Sequence, residues 1–159
     1  MSLYTFAYFF YNNIIMTRDV WIFIRGLQNT GTDDAEPVEV ISAGTYYNRN
    51  GKHYVLYDQA DDAGSMTANL VKIGSDFVEL NRKGSQAVRM VFRQGVRTSA
   101  EYPTPCGRLL LGVDTRSVRI GETNGQIEVQ MEYTLDADGD RISSCELTMR
   151  ISPRTDISE

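Results

Sequence analysis

From Ile127 to Leu135 apolar and polar side chains alternate without a break. Ile127, Val129, Met131, Tyr133 and Leu135 share one face, and Glu128, Gln130, Glu132 and Thr134 share the other. A strict period of two puts each set on its own side of a pleated strand, whereas a helix would scatter both around its axis. Such a segment is a strand with one dry face and one wet face. Cys145, Leu147, Met149 and Ile151 repeat the pattern, and Val88, Met90 and Phe92 repeat it more briefly. Turn-forming pairs punctuate the chain at Asn50-Gly51, Gly64-Ser65, Lys83-Gly84, Gln94-Gly95, Asn124-Gly125 and Asp138-Gly139. Short strands at regular spacing with tight turns build an all-β sandwich or barrel rather than βαβ units.

Register narrows the choice. A two-residue turn at Asn124-Gly125 sets Thr123 opposite Gln126, Ile120 opposite Val129 and Val118 opposite Met131, so both apolar sets share a face. At Asp138 a two-residue turn would put Met131 opposite Glu146. A three-residue loop, Ala137-Asp138-Gly139, instead sets Met131 opposite Cys145, Val129 opposite Leu147 and Ile127 opposite Met149, and is the expected form. A loop at Arg93-Gln94-Gly95 likewise sets Phe92 opposite Val96 and Met90 opposite Thr98. About ten strands in such a meander curl and close, because closure removes exposed edges. The expectation is a closed or nearly closed antiparallel up-and-down barrel over residues 16–152, with a polar tail at 153–159. Pro103 and Pro105 cannot donate to a ladder, so they belong to an edge or corner.

Residues 1–15 are apolar, aromatic-rich and free of charge. They are too short to span a bilayer and lack the basic start and cleavage site of a signal peptide. Met16-Thr17-Arg18-Asp19-Val20 reads as a natural start, from which the chain is expected to fold as well as it does at full length. The preceding residues are then either sequence foreign to the fold or a lid, an anchor or a dimerisation segment.

The 159 residues suit one domain, and the net charge of −5 argues against nucleic acid and against an anionic membrane surface. Two cysteines, Cys106 and Cys145, are too few for a secreted disulfide scaffold and fit reduced, buried thiols in the cytoplasm. The one histidine, His53, has no metal-ligand partners in the sequence and reads as a solvent-exposed strand residue. Asp136, Asp138 and Asp140 resemble the opening of a calcium loop. The sixth position is Arg141 and the twelfth is Leu147, where the loop needs glycine and an acid, so no metal is expected. Phosphate-binding and nucleophile-elbow motifs are absent, and no cofactor is implied. Carboxylates such as Glu79, Glu101, Glu128 and Glu132 have the chemistry for acid–base work, but Glu128 and Glu132 lie on the polar face of their strand, where solvated surface is the default. Tyr46, Tyr47, Tyr54 and Tyr57 gather around one hairpin.

The chain resembles the YwiB-like family, bacterial domains of unknown function grouped with the calycins. The likeness runs from Met16-Thr17-Arg18-Asp19-Val20 through Gly26-Leu27-Gln28, Gly44-Thr45-Tyr46-Tyr47 and Tyr54-Val55-Leu56-Tyr57. It continues in Met90-Val91-Phe92, Tyr102-Pro103-Thr104-Pro105-Cys106-Gly107, Thr115 and Tyr133-Thr134-Leu135. Cys106 replaces a tyrosine usual in the family, and Thr67-Ala68 stands where paired threonines are usual. The resemblance implies a lipocalin-like barrel in the cytoplasm and no known activity. Fold analogy then points to a small apolar or amphipathic ligand on the inner face, held by Tyr47, Tyr54, Met90, Tyr102, Val129, Met131, Tyr133 and Leu147. The alternatives are a small enzyme using Tyr, Arg and Glu for acid–base chemistry, and a structural or interaction module with a filled barrel. A homodimer fits any of the three.

Overall fold

The computed structural model describes residues 15–30, 36–61, 63–84 and 86–154. Of the apolar extension expected at residues 1–15 and the polar tail expected at 153–159, residues 1–14 and 155–159 lie outside the described residues, while Ile15 opens the first strand and Pro153 closes the last. Ten strands make up the fold: β1 (Ile15–Asn29), β2 (Val38–Arg49), β3 (Lys52–Ala60), β4 (Met66–Ile73), β5 (Phe77–Arg82), β6 (Val88–Arg93), β7 (Arg97–Thr104), β8 (Gly107–Thr123), β9 (Gln126–Ala137) and β10 (Asp140–Pro153). They form one antiparallel sheet in the order β6-β5-β4-β3-β2-β1-β10-β9-β8-β7. The first and last strands therefore pair with each other in mid-sheet, with Ile22 opposite Ile151. The sheet ends, β6 and β7, are consecutive in sequence, and their meeting nearly closes the barrel.

The turn at Asn124-Gly125 has the expected register, Ile120 opposite Val129 and Val118 opposite Met131. Both turn residues have positive φ, 53° and 75°, as a type I′ hairpin requires. The Asp138 hairpin departs from expectation. Its loop has two residues, since Ala137 pairs directly with Asp140. The register then shifts between Arg141 and Ser143, so that Cys145 faces Tyr133, Leu147 faces Met131 and Met149 faces Val129. An unpaired Ile142 on β10 restores the parity that the short turn would have broken. The apolar faces still coincide, but each partner is displaced by two residues.

The third hairpin is corrected as well. Among the described residues β6 and β7 share no backbone ladder. The Val96 amide bonds the Arg93 carbonyl, and the Gly95 amide reaches the Thr115 carbonyl on β8 instead (2.8 Å). Strand β8 changes register between Thr115 and Ser117, and the loop docks at this bend. Across the seam Thr98 Oγ1 donates to the Val91 carbonyl (2.7 Å). Pro103 lies on β7, a sheet edge, where a missing N–H costs no ladder bond.

The barrel interior is packed with side chains. Ile22, Val55, Ile73, Val78, Phe92, Val113, Val129 and Met149 are completely buried. Ile24, Leu80, Val118 and Leu147 pack around them. Burying each of these side chains contributes roughly 1.5–3 kcal/mol, so the filled interior is the main stabilising feature of the fold.

Candidate functional site

In addition to buried Thr115 and to Ser143, which accepts from Gln28, two groups of inward-facing polar side chains stand at opposite ends of the barrel. At the end where β2 turns into β3, His53 alternates with buried Val55 and so points inward. Tyr46 Oη lies 2.7 Å from its Nδ1, Asn48 Nδ2 lies 3.5 Å from the same atom, and Glu122 lies 3.8 Å from Nε2. The His53 side chain is only 15 % exposed, which corrects the expectation of a solvated residue. Burial lowers its pKa, and Glu122 partly opposes that. His53 is the hub of this cluster, with Tyr46 and Asn48 at Nδ1 and the exposed Glu122 carboxylate facing Nε2.

At the other end, β5 carries Val78, Leu80 and Arg82 on its inner side. Arg82 Nε donates to the Gln86 carbonyl (2.8 Å), and its guanidinium stands 5.8 Å from the centre of the Tyr102 ring. Among the described residues no carboxylate comes within salt-bridge distance of Arg82. Around it opens a pocket of about 160 Å³, beside the seam between β6 and β7. Val71, Leu80, Val88 and Met90 supply its apolar wall, and Tyr57, Asn69 and Tyr102 its polar groups. The Asn69 carboxamide, itself buried, spends one donor on the Thr67 carbonyl (3.2 Å). Burial raises the Tyr57 phenol above its ordinary pKa, and the Arg82 charge opposes this. A shallow groove of about 630 Å³ runs on from Arg82 past Lys83, Arg89 and Arg108. Arg89 is bonded to Glu79 and Arg108 to Glu101, which leaves Arg82 and Lys83 as the groove's cations without a carboxylate partner among the described residues. Strands β6 and β7 are held together where their loop docks on β8, and the pocket lies toward their far ends.

The residues expected to bind a ligand are dispersed by this geometry. Met90 and Tyr102 line the pocket. Val129 and Met131 belong to the filled core, with Leu147 packed against it. Tyr133 packs against Phe92 with ring centres 4.6 Å apart and planes tilted by 54°, and its hydroxyl is pushed up chiefly by burial and further by the Cys145 thiol. Tyr47 and Tyr54 stack on each other at 4.7 Å on the outer side, beneath the Lys72 ammonium. Alternation along β5 could have revealed Arg82, since it shares parity with Val78 and Leu80. Tyr57 was visible only as one member of the tyrosine hairpin.

Two other expectations are settled by contacts. Asp136 accepts two bonds from Arg97, at 2.6 and 2.8 Å, and Arg97 also bonds Asp114 at 2.5 Å. That hydrogen bonding holds Asp136 below its ordinary pKa and commits the first carboxylate of the calcium-like run to an ion pair. Cys145 is buried and Cys106 is exposed, which corrects the picture of two buried thiols. The two are not bonded to each other.

An antiparallel ten-stranded barrel with a filled interior and a small lateral pocket beside Arg82 is the class of protein these features define. The chain belongs to the family described as a domain of unknown function, DUF1934, whose model matches residues 22–149. It is 25 % identical over 115 residues to the uncharacterised β-barrel protein YwiB of Bacillus subtilis (strain 168), covering 71 % of this chain and 80 % of that protein. The crystal structure of the ywiB protein from Bacillus subtilis superimposes with a TM-score of 0.78 at 20 % identity. That superposition takes in 91 % of this chain and 97 % of the other, and it shows a shared fold. No helix of the described residues is long and apolar enough to cross a membrane.

Proposed function

We propose that this protein is a binding barrel for a small amphipathic anion, seated in the pocket between Arg82, Tyr57 and Tyr102. The observation that carries this is Arg82, a guanidinium on the inner side of β5, at the lip of an apolar pocket, with no carboxylate beside it among the described residues. A planar guanidinium presents paired donors that match a carboxylate bidentately. Leu80, Val88 and Met90 would take the apolar part of the ligand, and Asn69 and Tyr57 would orient its head. A pocket near 160 Å³ holds a ring or a short chain, because an apolar cavity of about 150 Å³ accepts benzene. Binding is favoured over acid–base catalysis because the pocket lining contains no glutamate or aspartate. The unpaired, exposed Cys106 supports a reducing, cytoplasmic setting.

The test compares benzoate with benzamide by calorimetry and by thermal unfolding. Benzoate is expected to bind and benzamide to bind at least about tenfold more weakly, a difference of about 1.4 kcal/mol. At a hundredfold excess over Kd, benzoate should stabilise the fold by about 2.7 kcal/mol. That corresponds to a rise in Tm of roughly 5–11 °C for a domain of this size. Arg82→Gln should abolish the preference for the acid. Equal affinity for acid and amide, or no binding of either, would leave the filled-barrel interaction module as the better description.

A further inference from the structure

The barrel wall is interrupted between β6 and β7, the two ends of the sheet, which share no ladder among the described residues. Alternation along each strand fixes which main-chain groups face this seam. The Arg93 carbonyl accepts from the Val96 amide (3.0 Å) and the Val91 carbonyl from Thr98 Oγ1 (2.7 Å). Arg89 has the same parity on β6, so its amide and carbonyl also turn toward the seam. On β7 the Val96 carbonyl accepts from the Thr115 amide of β8, and the β7–β8 register runs unbroken from Arg97 to Thr104. Ser99 and Glu101, of the opposite parity, therefore face the seam from the other side. No backbone bond joins Arg89 to either of them among the described residues. The groove of about 630 Å³ lies in this gap, bordered by residues 87–89 on one side and 99–101 on the other. Buried Ala100 and the exposed Arg89 and Glu101 side chains all border it, so it cuts into the wall from the outer side toward the interior. It is continuous with the Arg82 pocket, because Arg82 and Val88 line both.

A slot edged by unpaired main chain and ending at a cation has a definite complement. Edge amides and carbonyls are satisfied by a further extended chain, which makes the partner a peptide in strand form. The slot is lined by four cations, Arg82, Lys83, Arg89 and Arg108, and one carboxylate, Glu101, on a chain whose net charge is −5. Glu79 and Glu101 hold Arg89 and Arg108, and Arg82 stands beside the apolar pocket. A carboxylate next to an apolar side chain on an extended backbone is what the last residue of a peptide presents. Resting on the anion-binding reading of Arg82, we propose that the anion is the C-terminal carboxylate of an extended peptide, which lies in the slot as a short strand between β6 and β7. Its carboxylate pairs with Arg82 and its last side chain enters the pocket of Leu80, Val88 and Met90. Its preceding amides and carbonyls bond Arg89 on one edge and Ser99 and Glu101 on the other. The bound strand thereby fills the interruption in the barrel wall.

Calorimetry on the full chain with acetyl-phenylalanine and with the tetrapeptide acetyl-Thr-Val-Thr-Phe, both bearing a free carboxylate, tests this. The two present the same head and ring, and only the tetrapeptide has main chain to place in the slot. It should bind at least about tenfold more tightly, since each added main-chain hydrogen bond contributes roughly two- to tenfold. Methylating the main-chain nitrogens of its second and third residues should cancel that gain. Converting its carboxylate to an amide should weaken it by at least about tenfold. Hydrogen exchange at the Arg89, Ser99 and Glu101 amides should slow with the tetrapeptide and stay unchanged with acetyl-phenylalanine. A tetrapeptide no tighter than acetyl-phenylalanine, or one indifferent to methylation or to amidation, would overturn the proposal. If benzoate and acetyl-phenylalanine still bind in that case, the small-anion reading stands and only the peptide falls. If benzoate, acetyl-phenylalanine and the tetrapeptide all fail to bind, both fall together.

Discussion

The two ends of the barrel carry similar side chains and put them to opposite uses. At one end Tyr46 and Asn48 meet His53 Nδ1 inside the barrel mouth, and the exposed Glu122 carboxylate faces its other ring nitrogen. At the other, Tyr57, Asn69, Arg82 and Tyr102 surround empty space, and Arg82 has no carboxylate beside it among the described residues. Polar residues inside a barrel are therefore no guide to binding by themselves. What distinguishes the ends is whether the donors and acceptors are already spent. The His53 cluster closes its end, while the Arg82 pocket keeps an unpaired cation beside apolar wall, the combination that an external anion can complete.

The contrast can be strained most severely through the core lying between the ends. Phe92→Ala should cost roughly 3–5 kcal/mol, because it empties a completely buried position. Met90→Ala, two residues away but lining the pocket, should cost well under about 2 kcal/mol, since solvent already reaches that position. Calorimetric melting of both variants checks this, and equal costs would mean that the pocket is closed in solution. Tyr46→Phe should cost about 0.5–1.5 kcal/mol by removing the hydroxyl beside His53 Nδ1. Urea titration measures that loss, and a neutral result would show that the closed end is not held by its polar cluster. Acid should act at the same end. His53 is neutral more persistently in the folded state than in the unfolded chain, whose pKa is near 6.5. As pH falls below that value the unfolded state binds the extra proton, so stability declines toward the lower folded pKa. His53→Gln should flatten this part of the stability–pH curve, leaving only the later decline from carboxylates. The smallest effect is expected at Arg82: Arg82→Gln should change stability by no more than about 0.5 kcal/mol while removing anion selectivity. A large destabilisation there would identify Arg82 as a structural group.

The fold was largely legible before any coordinates. Alternation in β9 and β10 and the glycine-containing turns led to the antiparallel barrel, and the Asn124-Gly125 register was read residue for residue. The Asp138 hairpin was misread because parity alone cannot tell a three-residue loop from a two-residue turn followed by a bulge. Ile142 carries no mark that distinguishes it from a paired residue. The β6–β7 ladder was misread for a related reason. Local alternation predicts that two strands will pair, but the Gly95 amide has a better-placed acceptor in Thr115, which belongs to a strand distant in sequence. The site was less legible than the fold. Parity marks Met90, Val129, Met131, Tyr133 and Leu147 as inner-face residues but does not separate pocket lining from filler, and a narrow barrel uses Val129 and Met131 to fill itself. Tyr47 and Tyr54 were expected on the inner face and lie on the outer one, because aromatic residues occupy both parities of the β2–β3 hairpin. His53 was misplaced because its partners Tyr46 and Glu122 come from two other strands.

The pairing of β1 with β10 has a consequence for the order in which the chain is threaded. The Arg154 amide bonds the Asp19 carbonyl, so the two ends of the barrel sequence lie side by side. If a short linker joined them and the chain were opened at Gln94-Gly95, the new sequence would run β7, β8, β9, β10, β1, β2, β3, β4, β5, β6. That is the spatial order of the sheet read from one edge to the other. Every laddered strand pair would become a local hairpin, including β10 and β1, whose ladder now requires the two distant ends of the chain to find each other. Because loop closure between distant segments slows folding, the permuted protein should reach the same barrel faster than the natural arrangement does. The contact that completes the natural fold last would then be among the first to form.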